Sequence, residues 1–383
     1  MQFTFSDEQA EFRSILRRYL ADKSPASEVR RLMETSMGWE RANWQKLNQE
    51  LGLTAVHIPE AYGGQGFGFV ELGIVLDEMG RALLCAPYFA TAALATTAIL
   101  NAGSEAEKRR LLPPIAAGDI VATLAFTEEN GRWDSAGVTM TATPSGGKYR
   151  LDGTKSFVLD GHAADLIVVL ARAPGSTGEA GLSLFAVAGD AKGLERQALQ
   201  TIDQTRKLAH LRFQSVEAEL LGEAGKAAAA MAKTLTQAAV CLANEMVGGA
   251  ERLREDALNY AMMRMQFGRP IASFQAIKHK CADMLADVEL AKAAAYYAAA
   301  AAAEDDPDLP AIAALAKASA SEAYMQTAIH AVQMHGGIGF TWDNDTQLWF
   351  KRAKSSEVFL GDPSYHRELM MQRWGASEER AAG

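Results

Sequence analysis

Three cysteines in 383 residues, Cys85, Cys241 and Cys281, are too few and too widely spaced for a disulfide framework or a Cys-rich zinc site, which implies a reducing compartment. No uninterrupted apolar run is long enough to cross a bilayer. The N-terminus, MQFTFSDEQAEF, lacks a basic region followed by an apolar stretch, so no signal peptide is expected. An excess of positive charge is also missing. The net charge is −9, which argues against nucleic acid or an anionic membrane surface as the main partner, since both need a basic footprint. None of the seven histidines forms a metal-ligand pair at useful spacing; His330 and His335 are five apart and the second precedes glycines. There is no glycine-rich dinucleotide fingerprint after a strand, no P-loop and no nucleophile elbow. What remains is the balance of an ordinary globular enzyme, 49% apolar and 22% charged, in a chain longer than one hydrophobic core usually serves. A cytoplasmic location is the expectation.

The chain changes period twice. Residues 1–120 read as helical. Ser6 with Gln9 forms a capping-box pattern, followed by Phe12, Leu16 and Leu20 on one face, with Arg17 and Arg18 toward water. Trp44, Leu47 and Leu51 repeat that spacing within 39–51. Pro59 and the glycines of HIPEAYGGQGFGF, 57–69, stop any helix, and helical spacing returns at 71–84, 90–102 and 104–115. Residues 121–222 read as a β domain, a sandwich or a barrel. Val138–Thr143 alternates, PSGGK turns the chain, and Asp152-Gly153 marks a second turn. From residue 223 the sequence is alanine-rich and helical, with long helices at 223–263, 274–303, 310–334 and 346–371; Asp305–Pro310 is the clearest turn, and Lys292 and Glu304 mark wet helix ends. Short loops between long helices imply antiparallel neighbours, hence a four-helix bundle over 223–383. The fold class is therefore α+β, with an N-terminal helical domain, a middle β domain and a C-terminal bundle, and a crevice where the three meet is the favourable place for a ligand.

Two segments carry candidate chemistry. In RMQFGRPIASFQAIKHKCADM, 264–284, one helix ends near Gly268-Arg269-Pro270 and another starts after Ser273, a good N-cap. Arg264, Gln266 and Gln275 gather at that corner, and a guanidinium and amides beside a helix N-terminus suit a phosphate or pyrophosphate. The same residue types also suit a purely structural corner, with Arg264 a surface charge and Phe267 and Phe274 in the core. In QMHGGIGFTWDNDTQLWFKRAK, 333–354, Gly336, Gly337 and Gly339 interrupt a helical pattern and let a ligand or another backbone approach. A tight loop plugged by Phe340 and Trp342 fits equally.

Both segments resemble the acyl-CoA dehydrogenase family, flavoproteins that oxidise acyl-CoA thioesters at Cα–Cβ. The resemblance covers essentially the whole chain and includes IPEAYGG (58–64), LAFTEEN (124–130), GTKSFVLDG (153–161), QFGRPIASFQAIKHKCADM (266–284) and QMHGGIGF (333–340). It implies FAD as cofactor, with Arg264, Gln266, Phe267 and Gln275 near its pyrophosphate and ribityl region and Gln333, Gly336 and Gly337 at its adenosine part. In the family these groups reach the FAD of a neighbouring subunit, so a homo- or hetero-tetramer is implied. Thr127 and Phe157 fall where the family lines the isoalloxazine ring. An acyl-CoA substrate and electron-transferring flavoprotein as electron acceptor are the corresponding expectations. In the family a carboxylate removes the α-proton while the β-hydrogen leaves as hydride to the flavin.

The sequence departs from that pattern where the chemistry lies. The usual base is the Glu of a Tyr-Glu-Gly-Thr stretch, and here the stretch is Phe359-Leu360-Gly361-Asp362. The alternative base position on the first bundle helix falls at about Ala238, with Ala239 where an arginine often follows. Asp362 lies two residues beyond the usual position, and Glu245 lies about 10 Å along the helix from the alternative one. Around 128–134 the family's glycines and serine become EENGRWD, bringing Asn130, Arg132 and Trp133 to the flavin pocket, and the Trp-x-Thr of the hairpin becomes Phe157-Val158-Leu159. Groups the family donates across an interface survive, whereas those serving the chain's own flavin do not. The pattern resembles the non-catalytic subunit of heteromeric bacterial enzymes acting on steroid or other bulky CoA esters. A self-sufficient homotetramer with an atypical base and a catalytically silent binding or scaffold protein are the alternatives.

Overall fold

A computed structural model describes residues 5–382. Along the chain, α1 (Asp7–Lys23), α2 (Ala26–Met33), α3 (Arg41–Leu51), α4 (Phe69–Ala82), a π-helical stretch Phe89–Thr96 running into α5 (Thr97–Ala102), and α6 (Glu105–Ala116) come first. Strands β1 (Ala122–Ala125), β2 (Thr141–Ser145), β3 (Lys148–Leu159), β4 (Leu166–Arg172), β5 (Leu182–Ala188), β6 (Leu194–Ala198) and β7 (Leu208–Leu221) follow. Then come α7 (Ala227–Met263), α8 (Gln275–Ala303), α9 (Leu309–His335), α10 (Thr346–Val358) and α11 (Pro363–Ala382). The expected order of helices, strands and helices is present. Among the described residues no helix is long and apolar enough to cross a membrane.

The chain packs as two compact units. One holds Arg31–Gly68 and Cys85–Ala238. Its sheet closes on itself: β4 pairs β2 through Thr141 and Arg172, β2 pairs β3, β3 pairs β7, β7 pairs β5, and β5 returns to β4. β1 adds parallel to β4, and β6 adds to β7. Closure leaves β4 buried along its whole length, which is why LIVVLAR is a continuous apolar run ending in one charge. That charge, Arg172, is buried and donates to the carbonyls of Val138 at 2.6 Å, Ser135 at 3.1 Å and Gly178 at 2.8 Å. Asp152-Gly153 is not a turn. β3 continues through it with a bulge, because the ladder to β7 shifts register between Leu151 and Gly153.

The other unit holds the N-terminal residues to Arg30, Phe69–Leu84 and everything from Ala239. Ser6 and Gln9 form the expected capping box on α1. α4 and α7 pack almost backbone to backbone: a Cβ on Gly80 would sit 1.9 Å from the Glu245 carbonyl oxygen, and one on Gly248 would sit 1.9 Å from that of Asp77. The approach buries Asp77 and Glu78, and cations gather around them. Arg13 donates to Glu78 at 2.7 Å and to Asp77 at 3.0 Å, and Arg17 donates to Glu78 at 2.9 and 2.7 Å. Arg17 thus gains a buried partner while its own side chain stays 42% exposed, and Lys292, inside α8 rather than at a wet helix end, donates to Glu251 at 2.6 Å. The expected helix 346–371 is two helices, broken where Leu360 and Gly361 take φ of +62° and +105° ahead of Pro363. Ser273 is not the N-cap of α8. Its hydroxyl donates to the Pro270 carbonyl at 2.8 Å, and Phe274 takes the cap position without a side-chain bond.

Candidate functional site

The corner after α7 is a two-residue hairpin. Met265-Gln266 pairs antiparallel with Arg269-Pro270, and Phe267 and Gly268 turn the chain with φ of +52° and +76°. Positive φ at both central positions is the geometry that matches strand twist, and glycine or asparagine normally occupies the first. Here it holds a phenylalanine, 90% exposed, whose ring meets Phe274 edge-on at 6.1 Å. A bulky aromatic in a strained conformation and pointed at solvent is a feature to explain by function, not by the core. Arg264, Gln266 and Gln275 are exposed, and among the described residues their side chains have no partner. The N-terminus of α8, 29 residues long and uncapped, opens beside them. A guanidinium, two amides and free helix N–H groups fit a pyrophosphate.

The second motif meets this corner. Tyr260, in the last turn of α7, stacks on His335 at 4.1 Å and points its hydroxyl at the His335 carbonyl, 3.5 Å away. Gly336 follows with φ +66° and ψ −144°, a conformation essentially restricted to glycine. A Cβ on Gly336 or Gly337 would meet nothing within 4 Å, so the backbone there is open to a ligand. Gln333 is exposed and accepts from Lys280 Nζ at 3.1 Å, which ties α9 to the second turn of α8. Phe340 and Trp342 do not plug the loop; they are 70% and 56% exposed.

In the β unit, Thr127 and Phe157 lie on adjoining strand ends. Thr127 Oγ1 donates to the Ser156 carbonyl at 2.6 Å, and Ser156 N–H donates back to the Thr127 carbonyl at 3.0 Å. Phe157 sits at a second β3 irregularity with φ +59° and is 42% exposed. The substituted loop folds on itself: Asn130 Nδ2 donates to the Gly137 carbonyl at 2.7 Å, Arg132 pairs with Asp134, and Trp133 packs against Phe126 at 6.0 Å. Beneath it lies a pair the sequence reading missed. Lys155 Nζ, fully buried, donates to Glu128 Oε1 at 2.8 Å, and Glu128 also accepts from the Thr139 and Met140 amides at 2.9 and 3.0 Å. Burial pushes the Glu128 carboxyl up, but the Lys155 charge and these hydrogen bonds outweigh it and leave it below its ordinary value. A lone charge inside the apolar alternation of GTKSFVL was the available signal.

Leu360 and Ala238, the residues that the resemblance sets at the base positions, carry apolar side chains. Phe359 and Leu360 are buried, and so are Ala238 and Ala239. Asp362 accepts the Tyr365 amide at 2.8 Å, and Glu245 is sealed in an ion pair with Arg352 at 2.8 Å. Among the described residues no group of His, Cys, Asp and Glu could hold a metal ion.

The order of helices, closed sheet and helices defines a fold, and comparison with known proteins gives its family. The acyl-CoA dehydrogenase N-terminal, middle and C-terminal domain models match residues 6–119, 123–216 and 204–375. The chain is 32% identical over 374 residues to the probable acyl-CoA dehydrogenase FadE25 of Mycobacterium tuberculosis, covering 96% of this chain and 95% of that protein. Among solved structures it is similar to the Tcur3481-Tcur3483 steroid ACAD, with TM-score 0.87, 30% identity and coverage of 98% and 99% of the two chains. It is also similar to the ChsE4-ChsE5 complex from Mycobacterium tuberculosis, with TM-score 0.87, 27% identity and coverage of 98% and 99%. The chain belongs to the acyl-CoA dehydrogenase family, FAD flavoproteins that act as oxidoreductases on CH–CH bonds of acyl-CoA.

Proposed function

We propose that this chain is the FAD-binding but base-lacking subunit of a heteromeric acyl-CoA dehydrogenase. The carrying observation is that Leu360, which the resemblance sets at the catalytic carboxylate's position, is a buried apolar side chain. The nearest acid along the chain, Asp362, is engaged in capping a helix, so the α-proton is taken by a carboxylate of a homologous partner chain. The likeness to the ChsE4-ChsE5 complex supports an unlike partner, and the likeness to a steroid ACAD supports a bulky acyl-CoA as substrate.

Arg264, Gln266, Phe267 and Gln275 would hold the FAD pyrophosphate and ribityl chain, with Gln333, Gly336 and Gly337 at the adenosine. Their exposure and unpaired donors support a group that arrives from outside this chain's own core. Thr127 and Phe157 would border a ring site remodelled by Trp133. FAD when bound supplies the acceptor for the β-hydrogen; Arg264 and the α8 N-terminus neutralise its phosphates, and Phe267 screens it from water. Reoxidation by electron-transferring flavoprotein completes the proposed cycle.

The test is the flavin stoichiometry of this chain alone and of the chain co-expressed with a homologue. The expected result is little flavin alone, half-occupancy per chain in the complex, and bleaching by acyl-CoA only in the complex. One flavin per chain alone, bleached by acyl-CoA, overturns the reading in favour of a self-sufficient enzyme.

A further inference from the structure

Lys280, in the second turn of α8, reaches across to two side chains of α9. Its Nζ lies 3.2 Å from His330 Nδ1 and 3.1 Å from Gln333 Oε1. His330 and Gln333 are three residues apart and so share one face of α9. Asp283 stands one turn along α8 from Lys280, a spacing that suits a helical ion pair. Among the described residues Lys280 nonetheless has no carboxylate partner and bonds only to the imidazole and the amide.

The chemistry of the lysine fixes the orientation of both partners. An ammonium has N–H donors and no lone pair, so whatever it bonds to must accept. His330 therefore presents an unprotonated Nδ1, and Gln333 turns its carbonyl oxygen to the lysine. The Gln333 NH2 group is left facing away from Lys280, and among the described residues it has no acceptor. Gln333 is exposed and stands three residues before Gly336, where the backbone is open.

We propose that Lys280 is a positioning residue for the dinucleotide site: it holds the Gln333 amide so that Gln333 meets the arriving group as a hydrogen-bond donor, through Nε2. The atom that Gln333 faces is then an acceptor, a phosphate oxygen or a ring nitrogen, and not an amino group. This inference rests on the reading of that corner as a FAD site. An unheld glutamine samples several rotamers and both amide orientations, and ordering it on binding costs affinity. Lys280 removes that cost in advance and need not touch the cofactor to do so.

The experiment is a titration of the deflavinated protein with FAD, in complex with its partner where the two co-purify, followed by flavin fluorescence. The proteins are wild type, Arg264→Ala, Lys280→Met, Gln333→Ala and the double variant Lys280→Met with Gln333→Ala. Neither Lys280 nor Gln333 is buried, so these variants should fold. Lys280→Met should weaken FAD binding about three- to tenfold when Gln333 is present. In the Gln333→Ala background it should change binding less than about twofold, since there is no amide left to orient. The same loss in both backgrounds means that Lys280 contacts the cofactor directly and overturns the proposal. So does a Lys280→Met protein that binds like wild type while Arg264→Ala binds weakly, a result that leaves the cofactor site standing. No FAD binding by wild type, alone or with a partner, overturns the cofactor reading and this inference together.

Discussion

The Asp362 carboxylate accepts the backbone N–H of Tyr365 at 2.8 Å and so caps α11 at its first turn. This is the role of an N-cap, and it separates the charge of Asp362 from its hydrogen-bonding function. Asp362→Asn keeps an acceptor and removes the only carboxylate within two residues of position 360 on its C-terminal side. Turnover of the assembled enzyme should change less than about twofold, while Asp362→Ala lowers stability by about 1 kcal/mol. Steady-state kinetics and urea unfolding measure the two. A loss of activity of about 100-fold or more in Asp362→Asn would identify Asp362 as the base and refute the need for a partner's carboxylate.

Arg264 offers a second separation. Its guanidinium is exposed and unpaired among the described residues, so Arg264→Ala should leave the unfolding free energy of flavin-free protein within about 0.5 kcal/mol of wild type. Flavin retention should fall nonetheless, read as the 450 nm to 280 nm absorbance ratio after gel filtration. Equal retention removes Arg264 from the cofactor site.

Much of this arrangement is legible in the residues. The capping box at Ser6, the apolar run of β4 and the glycines at 268 and 336 are local signals, and each element formed where they stand. What the sequence hides is long-range. Ser273 has the right chemistry for a cap, yet the hairpin before it draws its hydroxyl to Pro270. Arg17 keeps a partly solvated face, yet its partner is long-range, because Gly80 and Gly248 let α4 and α7 close up and bury Asp77 and Glu78. Lys155 and Lys317 are single charges within apolar patterns, and only the tertiary fold supplies their acceptors.

The Glu128–Lys155 pair should behave as a unit. Removing one partner leaves a buried uncompensated charge, so Lys155→Met should destabilise the protein by about 3 kcal/mol. The double variant Lys155→Met with Glu128→Gln should recover a large part of that loss. A double-mutant cycle by chemical denaturation checks it, and additive effects would show that the two residues act independently.

Asp77 carries a pH dependence of definite sign. Burial pushes its carboxyl up to about 6, with Arg13 opposing and the charge of Glu78 adding to the rise. The folded protein therefore binds a proton at Asp77 more tightly than the unfolded chain does between about pH 4 and 6. Its stability contribution falls as the pH climbs through that window, and the penalty for the ionised form is complete above it. Asp77→Asn cannot titrate and should gain on wild type by roughly 2–3 kcal/mol between pH 4 and pH 7. The absolute ranking depends on what Arg13 and the Tyr296 hydroxyl, 2.6 Å from Asp77 Oδ2, make of the amide, but the slope does not. Urea unfolding of both proteins at pH 4, 5, 6 and 7 measures that slope, and parallel curves would mean that Arg13 keeps Asp77 ionised throughout.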